Sequence, residues 1–258
     1  MNIFVMVDME GISGIVLSDQ VSKTSVNYEN ARKFLTWEVN ACVQGCLDGG
    51  ATRIVVRDAH ASGFNFLWDA LDSRASYVQG QSGRERMPGI ASFDGVILLG
   101  YHAMAGTPGG ILEHTMSSKA WQHFWLNGRR SGEIAIDAAI AGDHGVPTLM
   151  VSGDDHACRE ARRFIPGVTT IEVKKGLSCE GGILLPKEKA HALIRQGAAK
   201  AVQQTRKVQP FKVKHPVVMR LELVSRGRVP IESPHVRAVD GRTYEVRAAT
   251  VEEALGLL

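Results

Sequence analysis

Ile3-Phe4-Val5-Met6-Val7 is an unbroken apolar run of strand length, and it predicts a strand buried on both faces. It stops at Asp8-Met9-Glu10-Gly11-Ile12-Ser13-Gly14, where acids and glycines predict a loop. From Asn27 to Leu47, the residues Phe34, Leu35, Val39, Cys42, Val43 and Cys46 recur at helical spacing, and Gly49-Gly50 supplies a stop. Arg53-Ile54-Val55-Val56 predicts a second strand running into Asp58-Ala59-His60-Ala61-Ser62-Gly63, and Phe64 to Leu71 predicts a short helix. Gly95 to Gly100 predicts a third strand, ending in Tyr101-His102 ahead of the loop Gly106-Thr107-Pro108-Gly109-Gly110. Trp121 to Leu126 predicts a strand with a turn at Asn127-Gly128, followed by a helix from Glu133 to Ala141. Val146 to Val151 predicts a fourth core strand ending in Gly153-Asp154-Asp155, and His156 to Phe164 a further helix.

Alternating strands and helices predict an α/β fold, a mostly parallel sheet with helices on both faces. The pattern changes after Pro166. Thr169 to Val173 and Val217 to Val224 read as strands, and Pro186 to Gln204 as a helix. Val236 to Val246 reads as a hairpin through Asp240-Gly241, and a short helix ends the chain. The expectation is an α/β part carrying the chemistry over residues 1–165. A smaller α+β C-terminal subdomain over 166–258 is expected to pack against it and to contribute to contacts between copies.

Composition narrows the class. With 258 residues, 44% hydrophobic and 22% charged, the chain is ordinary globular protein of one large or two small domains. Its 30 Lys plus Arg against 27 Asp plus Glu leave +3 and no dense basic block, which argues against a nucleic-acid partner. The four cysteines (Cys42, Cys46, Cys158, Cys179) form no C-x-x-C pair, and Cys42 and Cys46 are expected as buried thiols on one helix face. No apolar run approaches the ~18 residues of a membrane span. The N-terminal run has neither the basic start nor the length of a leader, so a cytoplasmic protein with no membrane partner is expected.

The chemistry lies where polar residues meet strand ends. In open α/β sheets ligands bind beyond the carboxyl ends of the strands. The first strand ends in Asp8 and Glu10, the second in Asp58 and His60, the third in His102. Residues two apart in extended backbone project to one side, so each pair can enter one crevice. Three carboxylates and two imidazoles crowded together need a neutralising charge, and a divalent cation supplies it. Carboxylate plus imidazole suits zinc, manganese, cobalt or iron, and the lack of a cysteine ligand argues against a structural zinc site. His114 follows the Gly/Pro loop after His102, and such a loop can fold back over a site. Glu133 opens a predicted helix, where an acid ordinarily complements the helix dipole.

The strings Val7-Asp8-Met9-Glu10-Gly11-Ile12-Ser13-Gly14, Asp58-Ala59-His60, Leu99-Gly100-Tyr101-His102-Ala103, Thr107-Pro108-Gly109, His114-Thr115-Met116, Asn127-Gly128, Gly132-Glu133 and Val151-Ser152-Gly153-Asp154-Asp155 occur in this order over residues 1–250. Together they resemble the D-aminopeptidase family of the dipeptide-transport operon, the M55 metallopeptidases. The resemblance implies two adjacent zinc ions per subunit and release of N-terminal residues, preferentially D-amino acids, from short peptides. It also implies a homo-oligomer, a ring-stacked decamer around an enclosed cavity. Carried over position by position, it makes Asp8 the carboxylate shared by both ions, and Glu10, His60, His102 and Glu133 the remaining ligands. His114 matches the family's catalytic histidine. Asp58 is left outside the ligand set and is expected to orient His60 or another ligand. The mechanism implied is attack by a hydroxide bridging the ions, one ion polarising the carbonyl and the other taking the free amine. His114 would donate to the oxyanion or to the leaving amine. The segment between His102 and His114 is one residue longer than the family pattern, and the C-terminal helix is shorter.

Two other readings of the residues stand beside this one. A dinuclear metal amidohydrolase or esterase acting on a non-peptide substrate needs the same ligands. A non-catalytic metal-binding module would show a damaged ligand set, yet all five positions hold competent side chains. A nucleotide site is disfavoured, because the first loop carries two carboxylates in place of G-x-G-x-x-G.

Overall fold

The N-terminal apolar run forms β1 (Asn2–Val7), and Ile3 to Val7 have no solvent exposure. Around it, in a computed structural model that describes residues 1–258, a seven-stranded sheet assembles. Its other strands are β2 (Arg53–Asp58), β3 (Ser76–Val78) and β4 (Gly95–Tyr101). The second sheet takes β5 (Trp121–Leu126) and β6 (Arg129–Arg130). The chain then returns to the first with β7 (Thr148–Asp154), β8 (Thr169–Ser178) and β9 (Gly181–Leu184). The first sheet has the order β3-β2-β1-β4-β7-β8-β9, parallel throughout except for the edge strand β9. The antiparallel second sheet is completed by β10 (Val217–Leu223), β11 (Val236–Ala238) and β12 (Thr243–Ala248), in the order β11-β12-β10-β5-β6.

Helix α1 (Tyr28–Asp48) buries the predicted stripe of Leu35, Val39, Cys42, Val43 and Cys46 and packs against α4 (Lys187–Gln203). On the other face α2 (Glu133–Asp143) packs with α3 (Asp155–Phe164) against β4, β7 and β8. Helix layers on both faces follow because the sheet grows from β1 first through β2 and β3 and then, on the other side of β1, through β4, β7 and β8, so that crossovers of one hand fall on opposite faces. The α/β class expected from the sequence is the one observed. The short α5 (Val251–Leu255) is capped by Thr250 and touches α2 and the second sheet.

The structure departs from expectation in local detail. Phe64 to Leu71 is not a helix; only Trp68–Ala70 makes a 3-10 turn. Side chains satisfy the backbone there in place of helical bonds. Asp58 accepts from the Asn65 N–H, the Arg32 guanidinium donates to the Asn65 and Phe66 carbonyls, and Thr36 Oγ1 accepts from the Leu67 N–H. The short strands β3 and β9 carry no interpretable alternation and escape the sequence reading. The two sheets do not divide at residue 166, because β5 and β6 precede it in the antiparallel sheet and β8 and β9 follow it in the parallel one.

Chain order and sheet order reverse about β1, which pairs with β2 on one side and β4 on the other. The loop after β1 lies over the end of β4. The Asp8 N–H bonds to the Leu99 carbonyl at 2.9 Å and the Gly11 N–H to the Gly100 carbonyl at 2.7 Å. Gly100 has φ +73°, and a Cβ there would strike the Asp8 carbonyl. A side chain at Gly11 would strike the Tyr101 carbonyl, so this approach requires glycine on both chains.

Candidate metal centre

Asp8, Glu10, His60, His102 and Glu133 converge beyond the carboxyl ends of β1, β2 and β4, and all five are buried. The sequence predicts this crevice from strand ends; Glu133 enters it from the first turn of α2. Ligand-capable atoms form two groups, Asp8 with Glu10 and His60, and His102 with His114 and Glu133, each within 4.8 Å. Asp8 spans them. Its Oδ1 lies 3.2 Å from His60 Nδ1 and its Oδ2 lies 3.2 Å from His102 Nε2. Glu10 Oε2 is 3.0 Å from His60 Nδ1, and Glu133 Oε1 is 3.3 Å from His102 Nε2.

The distal nitrogens of the imidazoles are committed to backbone. His60 Nε2 meets the Val21 carbonyl at 3.2 Å, which leaves Nδ1 facing the carboxylates. His102 Nδ1 donates to the Ala103 carbonyl at 3.0 Å and turns Nε2 inward. Such bonds fix tautomer and ring orientation. His114 Nδ1 donates to the Leu112 carbonyl at 2.9 Å, and its ring stacks on His102 with centroids 4.0 Å apart. Its Nε2 stands 3.8 Å from Glu133 Oε1. Asp58 stays outside the cluster. Its Oδ1 accepts from the His60 backbone N–H at 3.3 Å and from Asn65 Nδ2 at 2.8 Å, while Asn65 Nδ2 also donates to the His60 carbonyl.

Burial pushes the Asp8 carboxyl up, but His102 and His60 outweigh it and hold the group well below the carboxylate range. Burial likewise pushes the Glu133 carboxyl up and His102 overcomes it, leaving a net lowering. Burial pulls both imidazoles down, and Glu10 with Asp8 at His60, and Asp8 with Glu133 at His102, drive them well above the usual histidine value. The cluster is a sink for positive charge. Two of its buried atoms, Glu10 Oε2 and His102 Nε2, have no hydrogen-bond partner and face other ligand-capable atoms. Carboxylate oxygens, imidazole nitrogens and orphaned atoms that face one another fit zinc.

Several charged residues that support this centre carry no sequence signal of their role. Arg86 Nη2 approaches Glu133 Oε2 at 3.6 Å, and the same guanidinium is held by Asp137, which also accepts from the Tyr101 hydroxyl. A lone Asp137 within the apolar run Ile134 to Ile140 is the one hint of a buried partner. Glu160 Oε2 takes the Met104 N–H at 2.8 Å, and burial pushes its carboxyl up to about 7. Glu38, from α1, takes the Ser13 N–H at 2.8 Å. Lys174, from β8, is buried beneath the loop that carries Asp8 and Glu10.

The whole chain, residues 1–258, matches the family described as D-aminopeptidase, peptidase family M55. The D-aminopeptidase of Bacillus subtilis (strain 168) is 36% identical over 230 residues, which are 88% of this chain and 83% of that one. A solved structure, described as the zinc-dependent D-aminopeptidase DppA from Bacillus subtilis, a self-compartmentalizing protease, superposes with a TM-score of 0.94. It is 34% identical, and the match covers 99% of this chain and 94% of that one. Fold, full-length match and a buried carboxylate–imidazole crevice agree, and this chain belongs to the D-aminopeptidase family of metallopeptidases.

Proposed function

We propose that this protein is a zinc-dependent aminopeptidase that removes the N-terminal residue, preferentially a D-amino acid, from short peptides. We propose Asp8, Glu10, His60, His102 and Glu133 as the residues that hold two zinc ions, with His114 as the catalytic histidine. The observation that carries the reading is the Asp8 carboxylate, which turns one oxygen toward each ligand group. Zinc supplies Lewis acidity, which polarises a carbonyl and makes water a nucleophile near neutral pH. The chain's own residues supply orientation and proton transfer. His114 donates its Nδ1 proton to Leu112, so Nε2 keeps a lone pair toward the crevice and can take a proton from the attacking water. The same nitrogen can return that proton to the leaving amine. The carboxylate of Glu133 stabilises the imidazolium between the two steps, and the stack on His102 fixes the plane of the ring. Asp58 and Asn65 hold the His60 backbone in register.

A homo-oligomer, a decamer with an enclosed cavity, belongs to the same proposal. It is supported by the relative described as self-compartmentalizing and by the exposed apolar Val26, Phe64 and Trp68 in loops beyond β1 and β2. No helix is long and apolar enough to cross a membrane.

One observation favours a second role for His114, because its Nε2 lies within the ligand group of His102 and Glu133. Zinc analysis and peptide cleavage, on D-Ala and L-Ala peptides, test both readings. The parent is expected to hold two zinc ions per chain and to cleave the D-peptides faster. His114→Ala is expected to keep both ions and lose about 10²–10⁴ in turnover. A drop to one ion would make His114 a ligand, and full activity would end the catalytic assignment.

A further inference from the structure

Lys174 is among the few buried lysines a soluble fold tolerates: only 3% of its surface is exposed. It reaches from β8 into the loop after β1. There its ammonium donates to three backbone carbonyls, of Glu10 at 2.5 Å, Ile12 at 2.8 Å and Ile15 at 2.5 Å. An ammonium has three protons, so every donor is used. No carboxylate oxygen binds it directly; Glu38 on α1, Asp154 on β7 and Glu10 itself act on it through space. From the other side Glu38 takes the Ser13 N–H of the same loop. A six-residue turn thus wraps its carbonyls around one cation and offers an amide to one buried carboxyl group.

We infer that Lys174 is a positioning residue for metal binding: its ammonium fills a carbonyl cage of the kind that otherwise takes a monovalent cation, and so holds the Glu10 loop in ligand geometry. The inference rests on the reading of Asp8, Glu10 and His60 as one metal-holding group. The physical reason is repulsion. Carbonyls of Glu10, Ile12 and Ile15 directed at one point repel each other, and without the ammonium the turn opens and the Glu10 backbone rotates away from Asp8. A positive charge beneath the loop disfavours a metal ion above it through space, so the residue acts by geometry and not by charge complementarity.

The test measures zinc affinity of apoprotein by competition with a chromophoric chelator, without reference to peptide cleavage. Lys174→Met keeps an unbranched stem, one bond shorter, and removes the donors. Lys174→Ala empties the cage. Lys174→Gln keeps an N–H₂ group on a side chain one bond shorter. The Met and Ala variants are expected to bind zinc about 10- to 100-fold more weakly than the parent, the range for groups that orient metal ligands. Potassium or ammonium chloride is expected to restore most of the affinity to Lys174→Ala, and tetramethylammonium chloride at equal ionic strength is not. Lys174→Gln should fall between. Affinities within twofold of the parent in folded variants would overturn the inference, as would equal recovery with tetramethylammonium. Failure of all three variants to fold in potassium would overturn it as well, because the cage would then serve the fold alone. A parent that binds no zinc would instead end the proposed function.

Discussion

The group formed by Arg86, Asp137 and Tyr101 beneath Glu133 allows a quantitative prediction. Asp137 has no exposed surface, and its carboxylate takes Arg86 Nε at 2.5 Å, Arg86 Nη2 at 3.0 Å and the Tyr101 hydroxyl at 2.5 Å. The Arg86 side chain is only 16% exposed. Replacing Asp137 by Ala strands this guanidinium, with Glu133 at 3.6 Å as its nearest carboxylate, and leaves the Tyr101 hydroxyl unpaired. Removing one partner of a buried pair costs about 3–5 kcal/mol, whereas replacing both by apolar groups is often close to neutral. Asp137→Ala should therefore lower unfolding free energy by about 3–5 kcal/mol, and Arg86→Met by a similar amount. The double variant should cost at least ~2 kcal/mol less than the sum of the singles. Urea unfolding of chelator-treated protein, followed by tryptophan fluorescence, measures all three. Single effects that add within about 0.5 kcal/mol would refute the reasoning, since independent sites add to that margin.

Burial pushes the Glu38 carboxyl up to about 7 from 4.5, so the fold keeps a proton that the unfolded chain releases. That contribution is complete below pH 4.5 and is lost as pH rises through 7, a change of about 3 kcal/mol. Glu38→Gln keeps an acceptor for Ser13 and cannot ionise. Its stability relative to the parent should climb by about 3 kcal/mol between pH 4.5 and pH 8 in urea unfolding, and a flat difference would contradict this. Gly100→Ala forces a Cβ onto φ +73°, against the Asp8 carbonyl and 2.6 Å from Ile12 Cδ1. Strain and overlap should cost about 2–4 kcal/mol and weaken zinc uptake; a variant with unchanged melting temperature would show that the loop yields.

How much of this protein the sequence determines depends on the range of the interactions. β1, α1, β4 and α2 follow from their own residues, because an apolar run or a helical stripe has only one favourable way to leave water. The ligand-rich ends of β1, β2 and β4 are legible too, since a parallel sheet brings strand ends of like direction to one edge. Glu133 is not legible in that way. The role proposed for it comes from the family resemblance, and its position is decided by α2 packing against β4 and β7. The Phe64 to Leu71 segment fails for the converse reason: distant Arg32, Thr36 and Asp58 outbid local helical hydrogen bonds. Lys174, Arg86 and Glu38 were decided by tertiary structure alone. A buried ionisable group is stable only beside its hydrogen-bond or charge partners, and those partners lie tens of residues away along the chain, where no local pattern reaches them.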